Sequence, residues 1–235
     1  MKRKKSSELS NEVKRIANGR RKYRLLDIFL GYEEIYETGE VLKKRFRNCF
    51  ERAVSEAMGT GRRSGRILDL GTPFGMCGVS IARQNPNFRI ISLQEGKKLT
   101  EISRKFADDE MAEIKWGLGR PEEIPFRNES FDMVISSFSI HKWGNPAKTL
   151  KETERVLKGR GKVVILDVRG DRWKFVFLPS LIYSWLSAGL WLFRRIRLAF
   201  KSSYSPKEIE KVLKSLKLKK WKVKGGVYYL IIRKG

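Results

Sequence analysis

The rhythm of apolar and polar positions changes along the chain. From Leu25 to Met58 the apolar residues Leu26, Phe29, Leu30, Val41, Leu42, Phe46, Phe50, Ala53, Val54 and Ala57 recur every three or four positions, which places them on one helical face. Two helices broken near Gly31 or Gly39 are expected. Beyond the loop MGTGRRSG, short and nearly continuous apolar runs alternate with helical stretches. The runs at 66–70, 88–93, 112–119, 131–140 and 161–168 read as strands, and residues 75–83, 97–107 and 146–157 as helices. Strands of this kind, separated by helices, indicate a parallel sheet covered on both faces. Residues 217–235 hold two further runs joined at Gly225-Gly226, the mark of a closing antiparallel hairpin.

One stretch interrupts the alternation. Residues 175–193, FVFLPSLIYSWLSAGLWLF, carry no charge and are bordered by Arg172, Lys174, Arg194, Arg195 and Arg197. The length would reach across a bilayer. Pro179 breaks it, however, Ser180, Ser184 and Ser187 punctuate it, and Trp173, Trp185 and Trp191 are residues of interfaces. A helical lid over 172–204, or a helix lying on a membrane with its arginines at anionic headgroups, is expected, with a buried core helix or a dimer face as the plainer reading.

Charge adds a second theme. The chain has 51 Lys and Arg against 26 Asp and Glu, a net charge of +25. Such a surplus makes polyanions, RNA or an anionic membrane surface, plausible partners, with Lys2 to Lys5, Arg20 to Arg24 and Arg62 to Arg66 as phosphate contacts. The same composition also resembles a thermophile's ion-paired surface. Cys49 and Cys77 are far apart and imply neither a disulfide framework nor a metal cluster, which suits a reducing cytoplasm. The basic first residues lack the apolar segment of a secretory signal.

Candidate chemistry gathers in GRILDLGTPFGMCGVSIARQ, residues 65–84. Asp69 ends a strand, and Gly71, Thr72, Pro73 and Gly75 form a turn into a helix. In an open parallel sheet, ligands sit outside the carboxyl ends of the strands where the strand order reverses. Gly71 and Gly75 let backbone pass close to a ligand, whereas Pro73 fixes φ and removes an amide donor. Asp69 either orders the loop or accepts a hydrogen bond from a cationic ligand. His141, the single histidine, follows the fourth strand and is the candidate general base, a ring packed on Trp143 being the alternative.

The segment PEEIPFRNESFDMVISSFSIHKWGNPAKTLKETERVLKGRGKVVILDV, together with the glycine loop, resembles class I S-adenosylmethionine-dependent methyltransferases of the kind that act on small and lipophilic substrates. The likeness runs from 66 to about 168. It implies a Rossmann-like, doubly wound seven-stranded mixed sheet with a C-terminal antiparallel hairpin, N-terminal helices and a helical lid insertion. Residues 1–60 would form a basic arm and helices, and 61–235 the methyltransferase-like domain. The cofactor it implies is S-adenosylmethionine, held by Asp69, Gly71, Thr72, Pro73 and Gly75, with Ser136 and Ser137 contributing main-chain atoms. Gln94, followed by Glu95, stands where the family has an acid for the ribose hydroxyls, and Arg120 where it has an acid for the adenine amine, leaving Glu122 or a carbonyl to accept. The implied activity is methyl transfer to an apolar or lipid-like acceptor, an RNA methyltransferase and a non-catalytic scaffold for a polyanion or membrane being the other readings.

Overall fold

A computed structural model describes residues 47–172, 202–227 and 229–235. Its strands are β1 (Gly65–Leu70), β2 (Phe88–Gln94), β3 (Lys115–Leu118), β4 (Phe131–Ser137), β5 (Leu157–Val168), β6 (Trp221–Gly225) and β7 (Tyr229–Lys234). Its helices are α1 (Arg47–Met58), α2 (Met76–Gln84), α3 (Lys97–Asp109), α4 (Pro146–Val156) and α5 (Pro206–Ser215). The strands pair in the order β3-β2-β1-β4-β5-β7-β6. The first five run parallel, and β7 lies antiparallel between β5 and β6. The order turns back between β1 and β4, so the crevice expected of such sheets opens at their carboxyl ends.

The expected α/β fold, its seven strands and its hairpin are all present. The boundaries differ where backbone conformation intervenes. Strand β4 stops at Ser137 instead of continuing to Ile140, because Phe138 takes φ 51° and turns the chain into a short 3₁₀ segment, Ile140–Lys142. Helix α2 begins at Met76, since Gly75 sits left-handed at φ 64°. Strand β5 starts at Leu157, earlier than its apolar run suggests, and a register shift opposite β4 absorbs the Gly-Arg-Gly stretch.

Both sheet faces are covered. On one, Ile67, Ile90, Met133 and Val164 pack with Phe50, Ala53, Val54 and Ala57 of α1 and with α2 and α3. On the other, Leu68, Leu70, Val134 and Ile165 meet Leu150 of α4 and Ile209, Val212 and Leu213 of α5. Each fully buried aliphatic side chain contributes roughly 1.5–3 kcal/mol. Because α1 completes one face, a division near residue 60 cuts through a shared core. Residues 1–46 and 173–201, with the basic arm, the first helix of the N-terminal pair and most of the lid, lie outside the described residues.

Polar contacts set the angles between elements. The Arg155 guanidinium donates to the carbonyls of Ile124 and Phe126, both at 2.8 Å, and to Glu152, stapling the loop before β4 to the end of α4. Glu154 accepts from Trp221 Nε1 at 2.9 Å and Lys234 Nζ at 3.0 Å, which ties α4 to the hairpin. After β5 the Gly170 N–H donates to the Tyr204 carbonyl at 3.2 Å, so the chain leaves the sheet at 172 and returns to the same place at 202.

Helix α5, absent from the pattern of apolar runs, starts with a capping box: Ser205 Oγ accepts from Glu208 N, and the Glu208 carboxylate accepts from Ser205 N at 2.7 Å. Ser205→Ala is expected to lower stability by about 1 kcal/mol, seen as a lower urea midpoint at unchanged slope. An unaltered midpoint would show that the helix is held by burial of Ile209, Val212 and Leu213 alone.

Candidate active site

Loop 71–75 is fixed from three strands at once. Thr72 Oγ1 accepts from Ser137 N at 3.0 Å, the Thr72 carbonyl accepts from Gln94 Nε2 at 3.1 Å, and the Gly71 N–H donates to the Leu93 carbonyl at 3.1 Å. Positive φ, which Pro73 cannot adopt, falls instead on Gly71 (67°), Phe74 (54°) and Gly75 (64°). The proline therefore reshapes the turn into a 3₁₀ segment, Pro73–Gly75, which still delivers the chain to the start of α2. Gly75 is obligatory on two counts: its φ, and the Trp116 indole, whose Cη2 would lie 2.8 Å from an added Cβ. Phe74 is buried against Phe106.

Beneath the loop, Asp69 is wholly buried and its Oδ2 accepts from Gly78 N at 2.9 Å, which anchors α2 to β1. Any side chain at position 78 would crowd this carboxylate, since an added Cβ would stand 3.1 Å from Oδ2. Oδ1 completes no hydrogen bond, although Thr72 stands near enough to favour the anion. Burial dominates and pushes the carboxyl up to about 6.

At the ends of β4 and β5 two further groups meet. His141 and Asp167 are both buried, with Nδ1 3.2 Å from each carboxylate oxygen. Asp167 also accepts from Val168 N at 2.7 Å and from His141 N at 3.3 Å, so the carboxylate is held from its own strand while it orients the ring. A carboxylate on Nδ1 selects the tautomer whose proton sits there. Sequence reasoning reached His141 and missed Asp167. Its signal was an acid ending a buried strand that neighbours the strand before the histidine.

The remaining candidates divide. Ser136 Oγ donates to the Leu70 carbonyl at 2.6 Å, a bridge from β4 to β1. The Ser137 N–H is taken by Thr72, leaving its buried hydroxyl without a partner. Gln94 is buried with its amide nitrogen engaged by Thr72 and by Ser92 Oγ, both at 3.1 Å, while Glu95 is exposed beside it. Arg120 is exposed, its Nε 3.7 Å from Glu122. Glu122 is not held in reserve for a ligand: Oε1 accepts from Gly144 N at 2.6 Å and Asn145 N at 3.2 Å, which fixes the entry to α4. Burial, reinforced by nearby Asp69, pushes the Cys77 thiol well up; burial with Asp167 pushes Cys49 up to about 11, so both stay protonated and unreactive. Among the described residues no group of three His, Cys, Asp or Glu is placed to hold a metal.

Asp69 carries a pH signature. Its folded pKa lies above the ordinary 3.8, so its contribution to stability is greatest below about pH 4 and declines as pH rises to about 6. Asp69→Asn is expected to abolish that decline, so that the stability of the variant relative to wild type rises by on the order of 2–3 kcal/mol across this window. Urea unfolding at both ends of the window reads the difference; parallel stability curves would contradict it.

A family model described as a methyltransferase domain matches residues 68–165. The chain is 35% identical over 128 residues to the ubiquinone/menaquinone biosynthesis C-methyltransferase of Geobacter sp. strain M21, covering 50% of this chain and 54% of that protein. It is 33% identical over 150 residues to the biotin biosynthesis bifunctional protein of Teredinibacter turnerae, covering 60% and 26% respectively. It thus spans about half, or less, of the length of these relatives. In fold it is similar to a putative S-adenosylmethionine-dependent methyltransferase from Methanococcus maripaludis (TM-score 0.68, 19% identity, 87% of this chain and 93% of that one). It is also similar to the plantazolicin methyltransferase BpumL in complex with S-adenosylhomocysteine (TM-score 0.74, 12% identity, 95% and 97%). With the domain match on residues 68–165 and the sheet that carries it, the chain is similar over its central part to S-adenosylmethionine-dependent methyltransferases and shares their fold.

Proposed function

We propose that this chain transfers a methyl group from S-adenosylmethionine to an apolar small molecule with a quinone-like or lipid-like body. The observation that carries the reading is a juxtaposition. The glycine loop after β1, the His141–Asp167 pair at the ends of β4 and β5, and the Gly170–Tyr204 contact, between whose partners the uncharged 175–193 stretch falls in sequence, meet at the carboxyl edge of one sheet. Relatives named for ubiquinone and menaquinone methylation support an acceptor of this class.

The residues present fit the cofactor best at its charged end. Asp69 Oδ1 is a buried acceptor that completes no hydrogen bond, with Thr72 beside it, the buried Ser137 hydroxyl, near Cys77, completes none either, and left-handed Gly71 and Gly75 present backbone without a side chain. At the adenosine end Gln94 offers its amide oxygen and Glu95 its carboxylate to the ribose, while the adenine amine falls to a main-chain carbonyl, since Arg120 only donates and Glu122 serves Gly144.

When bound, the cofactor supplies an electrophilic methyl on a cationic sulfur, open to direct displacement by the acceptor. The chain's own part is to align the acceptor, exclude water and receive a proton if the accepting position bears one. Asp167 holds His141 with the proton on Nδ1, the tautomer suited to take up another at Nε2. Arg62, Arg63 and Arg66 lie at the opposite, amino-terminal end of the strands and cannot guide a polyanion into this crevice, which favours the apolar acceptor over RNA as substrate.

Calorimetric titration with S-adenosylmethionine and S-adenosylhomocysteine is expected to show saturable binding in the micromolar range, weakened at least about tenfold by Asp69→Ala. Absence of heat at millimolar ligand would leave a non-catalytic scaffold. With a hydroxylated quinol as acceptor, His141→Ala is expected to lower kcat by roughly 10²–10⁴-fold with little change in cofactor affinity. An unchanged kcat would assign the histidine to packing.

A further inference from the structure

Part of the charge surplus has a definite place among the described residues. Strand register sets Arg66 of β1 directly beside Arg89 of β2, and Lys162 of β5 beside Met133, one residue past Asp132 on β4. Trp221 pairs with Lys234, which brings Lys220 to the same end of the sheet. Arg63 occupies the loop that enters β1 and Arg160 lies near the start of β5, joined through the neighbouring Arg62, whose Nη2 donates to the Arg160 carbonyl at 3.1 Å. A basic band therefore runs along the amino-terminal edge of the sheet, facing away from the glycine loop.

The band is poorly neutralised. Its central acid, Asp132, is already shared between Arg62 at 3.3 Å and Lys158 at 3.0 Å. Among the described residues the side chains of Arg63, Arg66, Arg89, Arg160, Lys162 and Lys220 form no ion pair with a carboxylate, and all but Lys162 are exposed, Asp132 taking only the Arg66 main-chain N–H. Arg66 and Arg89 thus set two cations side by side on parallel strands, the Arg66 guanidinium lying over the Phe131 ring at 5.3 Å.

We propose that this edge is a docking surface for the phosphate backbone of double-stranded nucleic acid, engaged without regard to base sequence. A lipid surface needs apolar groups to enter it, and Met111 is the one large apolar residue exposed at this end among the described residues. Single strands are held by stacking on aromatic rings, and no aromatic residue among the described ones is exposed. Between β2 and β5 the edge presents Arg63, Arg66, Arg89 and Arg160 with Glu129 as the exposed acid among them, Asp108, Asp109 and Glu113 lying toward β3; these cations are the complement of a phosphate array. Methyl transfer would proceed at the far edge while the chain is tethered here.

Fluorescence anisotropy with a labelled duplex of about 20 base pairs, read over a salt series, tests this. Wild type is expected to bind at low salt. A variant with Arg63, Arg89, Arg160 and Lys220 all changed to Gln should bind at least tenfold more weakly, with a log–log salt slope shallower by roughly three to four. A charge-matched control with Arg104, Lys148, Lys151 and Lys207 changed to Gln should stay within about twofold of wild type. Circular dichroism melting monitors folding, and the double variant Arg160→Gln with Lys220→Gln, expected to show about half the slope change, replaces the quadruple variant if that one melts early. Equal losses in band and control variants would reduce the effect to net charge and overturn the proposal. So would absence of duplex binding at low salt, or binding of wild type to phosphatidylserine-containing vesicles in preference to the duplex.

Discussion

Thr72 is the knot on which the carboxyl edge of the sheet depends. Its hydroxyl accepts from the end of β4 and its carbonyl from a β2 side chain, while its own position continues β1. Three strands that the chain visits at distant points are thus referenced to one residue, wholly buried and without freedom to move. Everything proposed for ligand binding inherits its precision from this arrangement, because the flanking left-handed residues have meaning only if the loop between them stays where it is. Asp69 works one layer below, fixing the helix that the loop feeds.

Much of the fold was legible because its signals are local. Apolar runs with helical interludes announced the parallel sheet, and Gly225-Gly226 announced the hairpin. Strand ends were misjudged where a single residue adopts an unexpected conformation: nothing in Phe138 advertises positive φ, and what holds it, its N–H bond to the Leu166 carbonyl at 3.0 Å and its place over Phe50, 5.0 Å between ring centres, lies far along the chain. Helix α5 was hidden because its Lys-rich exterior masks the three residues it buries, although Ser-Pro-Lys-Glu is a legible start signal.

The long segment resembling methyltransferases owes its specificity to mutual contact. The residues Ile124-Pro125-Phe126 and the later Arg155 look like separate landmarks, yet the guanidinium of one grips the carbonyls of the other. The candidate site was less readable, for an opposite reason. Which group Glu122 or Asp167 serves depends on residues far along the chain, and their roles became clear only when β4, β5 and the turn before α4 were seen together. The unusual Pro73 likewise finds its explanation in a neighbour: strain that a glycine would have taken was passed to Phe74, whose burial against Phe106 offsets it.

The close approach of Gly170 to Ser203 bears on how such a chain diversifies. A side chain at 170 would strike the Ser203 carbonyl, 2.1 Å from the position of its Cβ, so the two ends of the excursion between β5 and α5 are clamped at a single point of the sheet. With the chain pinned at that point on both sides, the number of residues between 170 and 203 can change without altering the register of any strand.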